Sequence, residues 1–442
     1  MQSNGALRIL EKSNSKRYFC FVLDKRHRRG GKMMDTGDTG FIMMCTALVF
    51  IMTPGLAFFY GGMVRKKNVL STLMHSWVVI GIMSLQWILV GYTLAFGPDY
   101  HGLIGGLNWL GLNGVGMDPN PDYAATLPAI VFMGFQMMFA VITPALISGS
   151  IAERMKFPAF ILFMVLWATF VYDPLAHWVW GVGGFLRTLG ALDFAGGNVV
   201  HISSGYAALI AAILLGKRKG LGKDSMAPHH VPMTVLGAGL LWFGWFGFNA
   251  GSALGANGLA GMAFVNTNTA AAAAALAWAV VERIHRGKST MLGTASGAVA
   301  GLVAITPGAG FVTPMSALFI GIVGGLVCYL AIGVIKAKLG YDDALDAFGC
   351  HGIGGTWGAL ATGIFATKSI NPAGNDGLFY GNASLLGIQA ISVAVTIAFT
   401  VTMTFIILKL ISVVMKLRVT EEEESNGLDL SLHGERAYSE FM

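Results

Sequence analysis

Apolar residues fill this chain in unbroken windows rather than on one face of each element. At about 1.5 Å of rise per residue, a window of roughly twenty apolar residues crosses the hydrocarbon of a bilayer. Such windows lie at 39–62, 70–96, 128–150, 158–178, 196–216, 232–253, 259–281, 291–307, 315–335, 347–366 and 385–414. The pattern predicts an all-α integral membrane protein with eleven transmembrane helices.

The segments between windows alternate in basic residues. Arg65, Lys66, Lys67, Arg154, Lys156, Lys217, Arg218, Lys219, Lys223, Arg283, Arg286, Lys288, Lys336 and Lys338 fall on one side, and only Arg187 and Lys368 on the other. Positive-inside bias puts the first group in the cytoplasm, the start of the first helix outside and the C-terminus inside. Residues 1–33 break the pattern with nine Lys or Arg on the side predicted to be outside. The only apolar run there, YFCFVL, is too short for the core of a signal peptide. We read 1–33 as a disordered or non-native basic extension, with Met33 or Met34 as a natural start.

Composition agrees with the windows: 55% hydrophobic and 12% charged residues across 442 positions exclude an ordinary soluble domain. The sixty glycines suit close helix packing, where small residues let backbones approach, as in the Gly321 and Gly325 pair or the run Ala270 to Ala275. Four cysteines without CxxC spacing suggest neither a disulfide framework nor a metal site. RGKST at 286–290 lacks the first glycine and the preceding strand of a phosphate-binding loop. With no zinc motif and no nucleophile elbow, the reading is of a protein that is not an enzyme and uses no cofactor or nucleic acid.

Against this apolar background one spacing occurs twice. Asp193, His201 and Gly205 in LDFAGGNVVHISSG are separated by seven and three residues; Asp343, His351 and Gly355 in DALDAFGCHGIGG repeat that spacing 150 positions later. An acid at a helix centre costs roughly 2.5 to 3.5 kcal/mol to insert, so intramembrane ionisable groups mark a pathway or relay more often than a tie between helices. AVITPALI (Thr143, Pro144) is echoed by VAITPGAG (Thr306, Pro307). Both echoes are offset by five helices, an odd number, which predicts an inverted five-helix repeat plus one extra C-terminal helix. His201 and His351 start from opposite faces and meet only if their helices begin below the surface, which Gly196, Gly197 and Gly349 permit.

The third constellation is aromatic: Phe135 and Phe139 one turn apart, Trp180 at the end of the fourth helix, and Trp242, Trp245, Phe248 and Ser252 on the sixth. Aromatic residues in membrane helices mostly serve packing or interfacial belts. A Trp, a Phe and a Ser together also make a cage for a small cation that donates a hydrogen bond. Asp173, beside Pro174, reads as a helix-end cap or hinge, and EEEE at 421–424 as part of a solvated tail.

FFYGGMVRKKN (58–68), SGSIAERMKF (148–157), ALDFAGGNVVHI (191–202), WFGWFGFNAGSA (242–253), FGCHGIGG (348–355) and LDLSLHGERAY (428–438) resemble the ammonium transporter family, Amt/MEP, over about residues 36–440. The resemblance implies a plasma-membrane homotrimer with one pore per subunit and ammonium, possessing one proton more than ammonia, as substrate, with methylammonium as a further candidate. By family motif, Trp180, Phe139 and Ser252 match an outer cation site supported by Asp193. Phe139 and Phe248 match a paired phenyl gate, and His201 and His351 the twin histidines of the lumen, with Phe135, Trp245 and Thr306 supporting the pore. The resemblance divides the chain into a membrane domain, 34–417, and a cytoplasmic regulatory tail, 418–442, that fits a PII-type signalling protein. The spacing from Trp180 to Asp193 is one residue longer than in some family members. A neutral-gas channel of the Rh type has no use for a cation site, and a non-conducting ammonium receptor none for both histidines.

Overall fold

The computed structural model describes residues 34–438, so the basic extension lies outside the described residues. Nine helices among the described residues are long and apolar enough to cross a membrane. They are α1 (Thr36–Met63), α2 (Lys66–Phe96), α3 (Ala129–Ile151), α4 (Phe157–Leu189, with a glycine turn at 181–184), α5 (Gly197–Leu215), α6 (Val231–Gly251), α7 (Gly258–Arg286), α9 (Pro314–Leu339) and α11 (Ala383–Val414). The shorter α8 (Met291–Ile305) stands between α7 and α9, and α10 joins a π-turn, Phe348–Gly352, to Ile353–Phe365. The chain is therefore a multi-pass helical membrane protein. Two small antiparallel hairpins, Asp99–Tyr100 with Ile104–Gly105 and Pro119–Asn120 with Ala124–Pro128, fold between α2 and α3.

Local chemistry sets the helix ends. Asp35, Asn257, Thr290, Thr313 and Asn382 cap α1, α7, α8, α9 and α11 by accepting a backbone N–H, and prolines open α4, α6 and α9. Packing then relies on missing side chains. A Cβ at Gly321 would sit 2.3 Å from the Ala270 carbonyl oxygen, and one at Gly325 would sit 2.6 Å from that of Ala274, so α9 lies directly on α7.

Asp173 differs from its reading as a helix-end cap. Helix α4 runs through it by way of a π-turn, Ala168–Tyr172, and its buried carboxylate accepts a hydrogen bond from Gln86 Nε2 at 2.7 Å. A π-turn widens the helix by one residue, which directs Asp173 toward α2 instead of freeing a helix end.

The tail is docked rather than solvated. Thr420 and Glu423 form a capping box that starts a short helix, Glu421–Asn426, and a second follows at Leu428–His433. Glu424 is buried and binds Arg418, while Arg418 donates to the Leu215 and Lys217 carbonyls. Asp429 accepts the Ser71 N–H at the start of α2. Beneath it lies a buried cluster in which Glu153 binds Arg65 and Arg218, and Arg218 binds Asp342. Burial alone would raise the Glu153 carboxyl, but Arg218 and Arg65 hold it below its ordinary range, whereas burial brings Arg154 down to about 10.

Candidate functional site

The doubled spacing acquires a physical meaning at each letter. Asp193 Oδ1 accepts the backbone N–H groups of Gly196 and Gly197 at 2.7 and 2.6 Å, and Oδ2 that of Asn198 at 2.7 Å. The acid thus caps the π-turn Gly197–Ile202 that opens α5. Asp343 Oδ2 accepts the Phe348 N–H at 2.7 Å and caps the π-turn that opens α10. The histidines follow inside those turns: His201 Nδ1 and His351 Nδ1 are 3.3 Å apart, with stacked rings 5.3 Å between centroids. The glycines are the crossing point. A Cβ on Gly205 would fall 2.1 Å from the Gly352 nitrogen, and one on Gly355 would fall 2.9 Å from the His201 Cβ. Helices α5 and α10 approach this closely only without side chains there, and that approach brings the two rings into contact.

The face of the molecule that carries Trp180 holds a cavity of about 230 Å³, lined in part by Phe139, Trp180, Ser252, Asp193, Gln136 and Arg187. The Trp180 indole N–H donates to the Asp193 carbonyl at 2.9 Å, and its ring meets Phe139 edge-on at 6.0 Å. Ser252 Oγ donates to the Phe248 carbonyl. At the cavity floor the rings of Phe139 and Phe248 are 4.2 Å apart, both almost fully buried, and Phe135 packs edge-on against Phe139 at 5.0 Å.

Below this pair lies an apolar lumen of about 50 Å³ whose wall includes Phe248, His201, His351, Trp245, Ile142 and Leu146. The Trp245 ring stacks on His201 at 5.4 Å, with its indole N–H held by Thr306 Oγ1 at 2.9 Å. His201 Nε2 is buried and has no hydrogen-bond partner in the protein. The lumen shares Trp278, Ser296, Ile332 and Asp346 with a cavity of about 1030 Å³ on the tail face, where Lys217, Arg286 and Lys336 also lie. Of the residues matched to the cation site, the phenyl pair, the twin histidines and the pore support, Trp180, Phe139, Ser252 and Asp193 line the first cavity and Phe248, His201, His351 and Trp245 the lumen, while Phe135 packs on Phe139 and Thr306 holds Trp245.

Several supporting residues escaped the sequence reading. Gln389 on α11 grips Leu192 at both N–H and carbonyl, and Ser392 accepts from Asn198 Nδ2 at 3.1 Å, so α11 fixes the turn that Asp193 caps. Their signal was available: Gln389, Ser392, Thr396, Thr400 and Thr404 form a polar stripe at helical spacing in an otherwise apolar window, and all are buried. Arg187, which donates to the Trp180 carbonyl at 2.6 Å, and the Lys336–Asp346 ion pair at 2.6 Å carry no comparable pattern.

Known proteins place this arrangement. The profile of the Ammonium Transporter Family matches residues 40–438. An ammonium transporter of Bacillus subtilis is 61% identical over 409 residues, covering 92% of this chain and all of that one. The crystal structure of Saccharomyces cerevisiae Mep2 superposes with a TM-score of 0.81 at 38% identity, covering 88% of each chain. A structure titled Sensor Amt Protein superposes with a TM-score of 0.83 at 35% identity, covering 90% of this chain and 98% of that one. With its matching motifs gathered around these cavities and the phenyl pair between them, the chain belongs to the ammonium transporter family.

Proposed function

We propose that the chain carries out electrogenic ammonium uptake: it captures ammonium at the Trp180 face, removes a proton, and passes ammonia and the proton by separate means. The observation that carries this reading is the contact between His201 and His351 directly beneath the Phe139–Phe248 pair. An ammonium ion moving into so apolar a lumen would lose its hydration for nothing comparable, a penalty of several kcal/mol even after relaxation. Above the phenyl pair, the Trp180 and Phe139 faces attract a cation and Ser252 accepts one of its hydrogens, interactions worth about 0.5 to 2 kcal/mol for each aromatic face. The ion is stable on one side of the rings and only the neutral molecule on the other, so the proton leaves at that boundary.

Hydrogen-bond accounting gives the proton a carrier. Two neutral imidazoles in Nδ1-to-Nδ1 contact must use opposite tautomers: one Nδ1 donates and the other accepts. The donating ring then presents a bare Nε2, and the accepting ring an Nε2–H. With His201 as the donating ring, its partnerless Nε2 is ready to take a proton and His351 Nε2–H to release one. Ammonia needs no such relay, because a small neutral molecule fits the apolar lumen.

The same reading makes the Trp180 face extracellular and the basic, tail-bearing face cytoplasmic, with eleven spans in two inverted five-helix halves and α11 as the addition. It makes the protein a plasma-membrane homotrimer whose domain 34–417 conducts and whose tail, 418–442, joins the basic inner loops in receiving a PII-type signalling protein. Methylammonium fits the same cage.

The test is current on a supported membrane after an ammonium jump on liposomes containing the full chain. We expect a current with ammonium, none with potassium, which has no proton to give, and loss of selectivity or current in the double variant His201→Ala, His351→Ala. Potassium current equal to that of ammonium overturns deprotonation. Ammonium binding without current supports a receptor, and internal alkalinisation without current supports a neutral ammonia channel.

A further inference from the structure

Trp180 sits on the last turn of the longer part of α4, and one turn before it is His177, fully buried, which the site as described above does not use. Its two ring nitrogens both face acceptors. Nδ1 is 3.0 Å from the Ala95 carbonyl oxygen at the end of α2, and Nε2 is 2.9 Å from Asp99 Oδ1 in the first hairpin. A neutral imidazole has one N–H. It can serve only one of these two acceptors, so both contacts hold together only while one further proton is shared between His177 and Asp99, whichever atom carries it.

Three glycines fit the backbone around this pair. A Cβ at Gly181 would lie 2.5 Å from His177 Nδ1, one at Gly183 would lie 2.6 Å from the Asp99 Cβ and Cγ, and one at Gly184 would lie 2.0 Å from the His177 carbonyl oxygen. Gly183 also has φ +93°, which other residues rarely adopt. The Gly181 N–H returns to the His177 carbonyl at 2.9 Å. The turn that ends this part of α4 and carries Trp180 into the cavity is thus wrapped on the His177–Asp99 contact. The contact is open to the medium on one side, because the Asp99 side chain is 32% exposed while that of His177 is 0%. His177 holds the Asp99 carboxyl below its ordinary range.

We propose that His177 and Asp99 form a proton-dependent clamp that positions Trp180, so that the affinity of the outer cation site falls as external pH rises. The proposal rests on the transport reading above and adds its regulation. His177 is a positioning residue: it touches the turn that bears Trp180, not the substrate. Other titratable groups near the pair are His101 on the same hairpin, Tyr123 between α2 and α3, and Arg187 on the short helical continuation of α4. Arg187 donates to the Trp180 carbonyl, and Tyr123 donates to the Phe96 carbonyl and accepts from the Val182 N–H, so both brace the same turn.

Asparagine and alanine at position 99 separate a proton-dependent clamp from plain structural support. In Asp99→Asn the amide can donate to the bare Nε2 of neutral His177, closing the contact at every pH; in Asp99→Ala nothing closes it. The measurement is the half-saturating ammonium-ion concentration of the current from the full chain, over external pH from about 5.5 to about 8.5. In the wild type it should rise at least about fivefold with pH, in Asp99→Asn stay low throughout, and in Asp99→Ala stay high throughout, with maximal currents within about twofold. A flat wild-type profile, or Asp99→Ala matching the wild type, overturns the proposal.

A second readout does not need current. The ¹⁹F signal of 5-fluorotryptophan at position 180, assigned with Trp180→Phe, should move with pH in the wild type and not in Asp99→Asn. If that signal moves but ammonium drives no current, the transport reading fails and the clamp stands; if the signal is pH-independent, the clamp fails whatever the current.

Discussion

The Asp193 stretch and the Asp343 stretch have one spacing and are built to different tightness. Asp193 uses both carboxylate oxygens on backbone N–H groups, three of them within 2.7 Å and the Val199 N–H at 3.4 Å, and α11 grips the residues on either side of the cap. Asp343 accepts the Phe348 N–H through Oδ2, while its Oδ1 is buried without a hydrogen bond. Beside it Lys336 donates to the Asp343 carbonyl and to Asp346. One stretch is a rigid platform under a cavity, whereas the other is a lighter cap next to an ion pair that borders the larger cavity. A shared sequence spacing therefore fixes where the histidines stand without fixing how firmly each is held.

The largest expected effect tests that difference directly. Asp193→Ala leaves at least three buried N–H groups without an acceptor, at about 1 to 3 kcal/mol each, which is comparable to a sizeable share of a domain's stability. Asp343→Ala strands the Phe348 N–H and removes a weaker contact from the Ala347 N–H. We expect Asp193→Ala to give little folded protein on size-exclusion chromatography in detergent, and Asp343→Ala to be recovered folded with a lowered unfolding temperature. Equal losses from the two variants would show that the caps contribute alike and would remove the comparison.

A smaller asymmetry is expected at the crossing glycines. The Cβ of Gly205→Ala meets backbone, the Gly352 nitrogen at 2.1 Å, which cannot turn aside, so α5 and α10 must separate. The Cβ of Gly355→Ala meets the His201 Cβ at 2.9 Å and the Ile202 side chain and backbone nitrogen at 3.2 Å, a milder overlap than the 2.1 Å at Gly205. Overpacking of this kind costs about 1 to 3 kcal/mol, with Gly205→Ala at the upper end. Because separation parts the rings, Gly205→Ala should lose ammonium current in protein that still elutes as folded, and Gly355→Ala should keep a reduced current. Full current in Gly205→Ala would mean that ring contact is unnecessary.

These contrasts mark what the sequence could and could not reveal. The helices were legible because lipid removes ambiguity: a backbone that must satisfy itself leaves helix as the reading of each long apolar window. The residues lining the two cavities were legible because polar or aromatic side chains stand out against that background and because His201 and His351 share a spacing. Counting residues from the membrane surface makes these two meet only if their helices begin with broken entries, which the flanking glycines permit. They meet because both helices begin as capped π-turns, a backbone choice that Asp193 and Asp343 enforce but that no periodicity announces. Asp173 caps no helix end for the same reason, since the π-turn before it carries the chain on into α-helix and turns its side chain to a buried face. The docked tail was hidden differently: Glu424 looks like its exposed neighbours, and only Arg418 and Lys219, folded against it, distinguish it.

The finest difference lies three residues after each acid, where both stretches need a positive φ. Gly196 meets the need with φ +124° and no side chain, and a Cβ there would fall 2.6 Å from Val200 Cγ2. Asp346 meets it with φ +63°, a left-handed conformation that costs an L residue about 1 to 2 kcal/mol, though Asp tolerates it better than most. What Asp346 returns is the ion pair with Lys336, whose side chains are 33% and 22% exposed, so solvent screening limits it to about 1 kcal/mol or less. Asp346→Ala keeps the strain and loses the pair, and should destabilise by about 1 kcal/mol. Asp346→Gly loses the pair but relieves the strain, so the two terms nearly cancel and the unfolding temperature should stay close to that of the wild type. If glycine proved as harmful as alanine, the carboxylate would be contributing more than a screened ion pair can. The Asp343 stretch would then be held through its charge as firmly as the Asp193 stretch is held through its backbone.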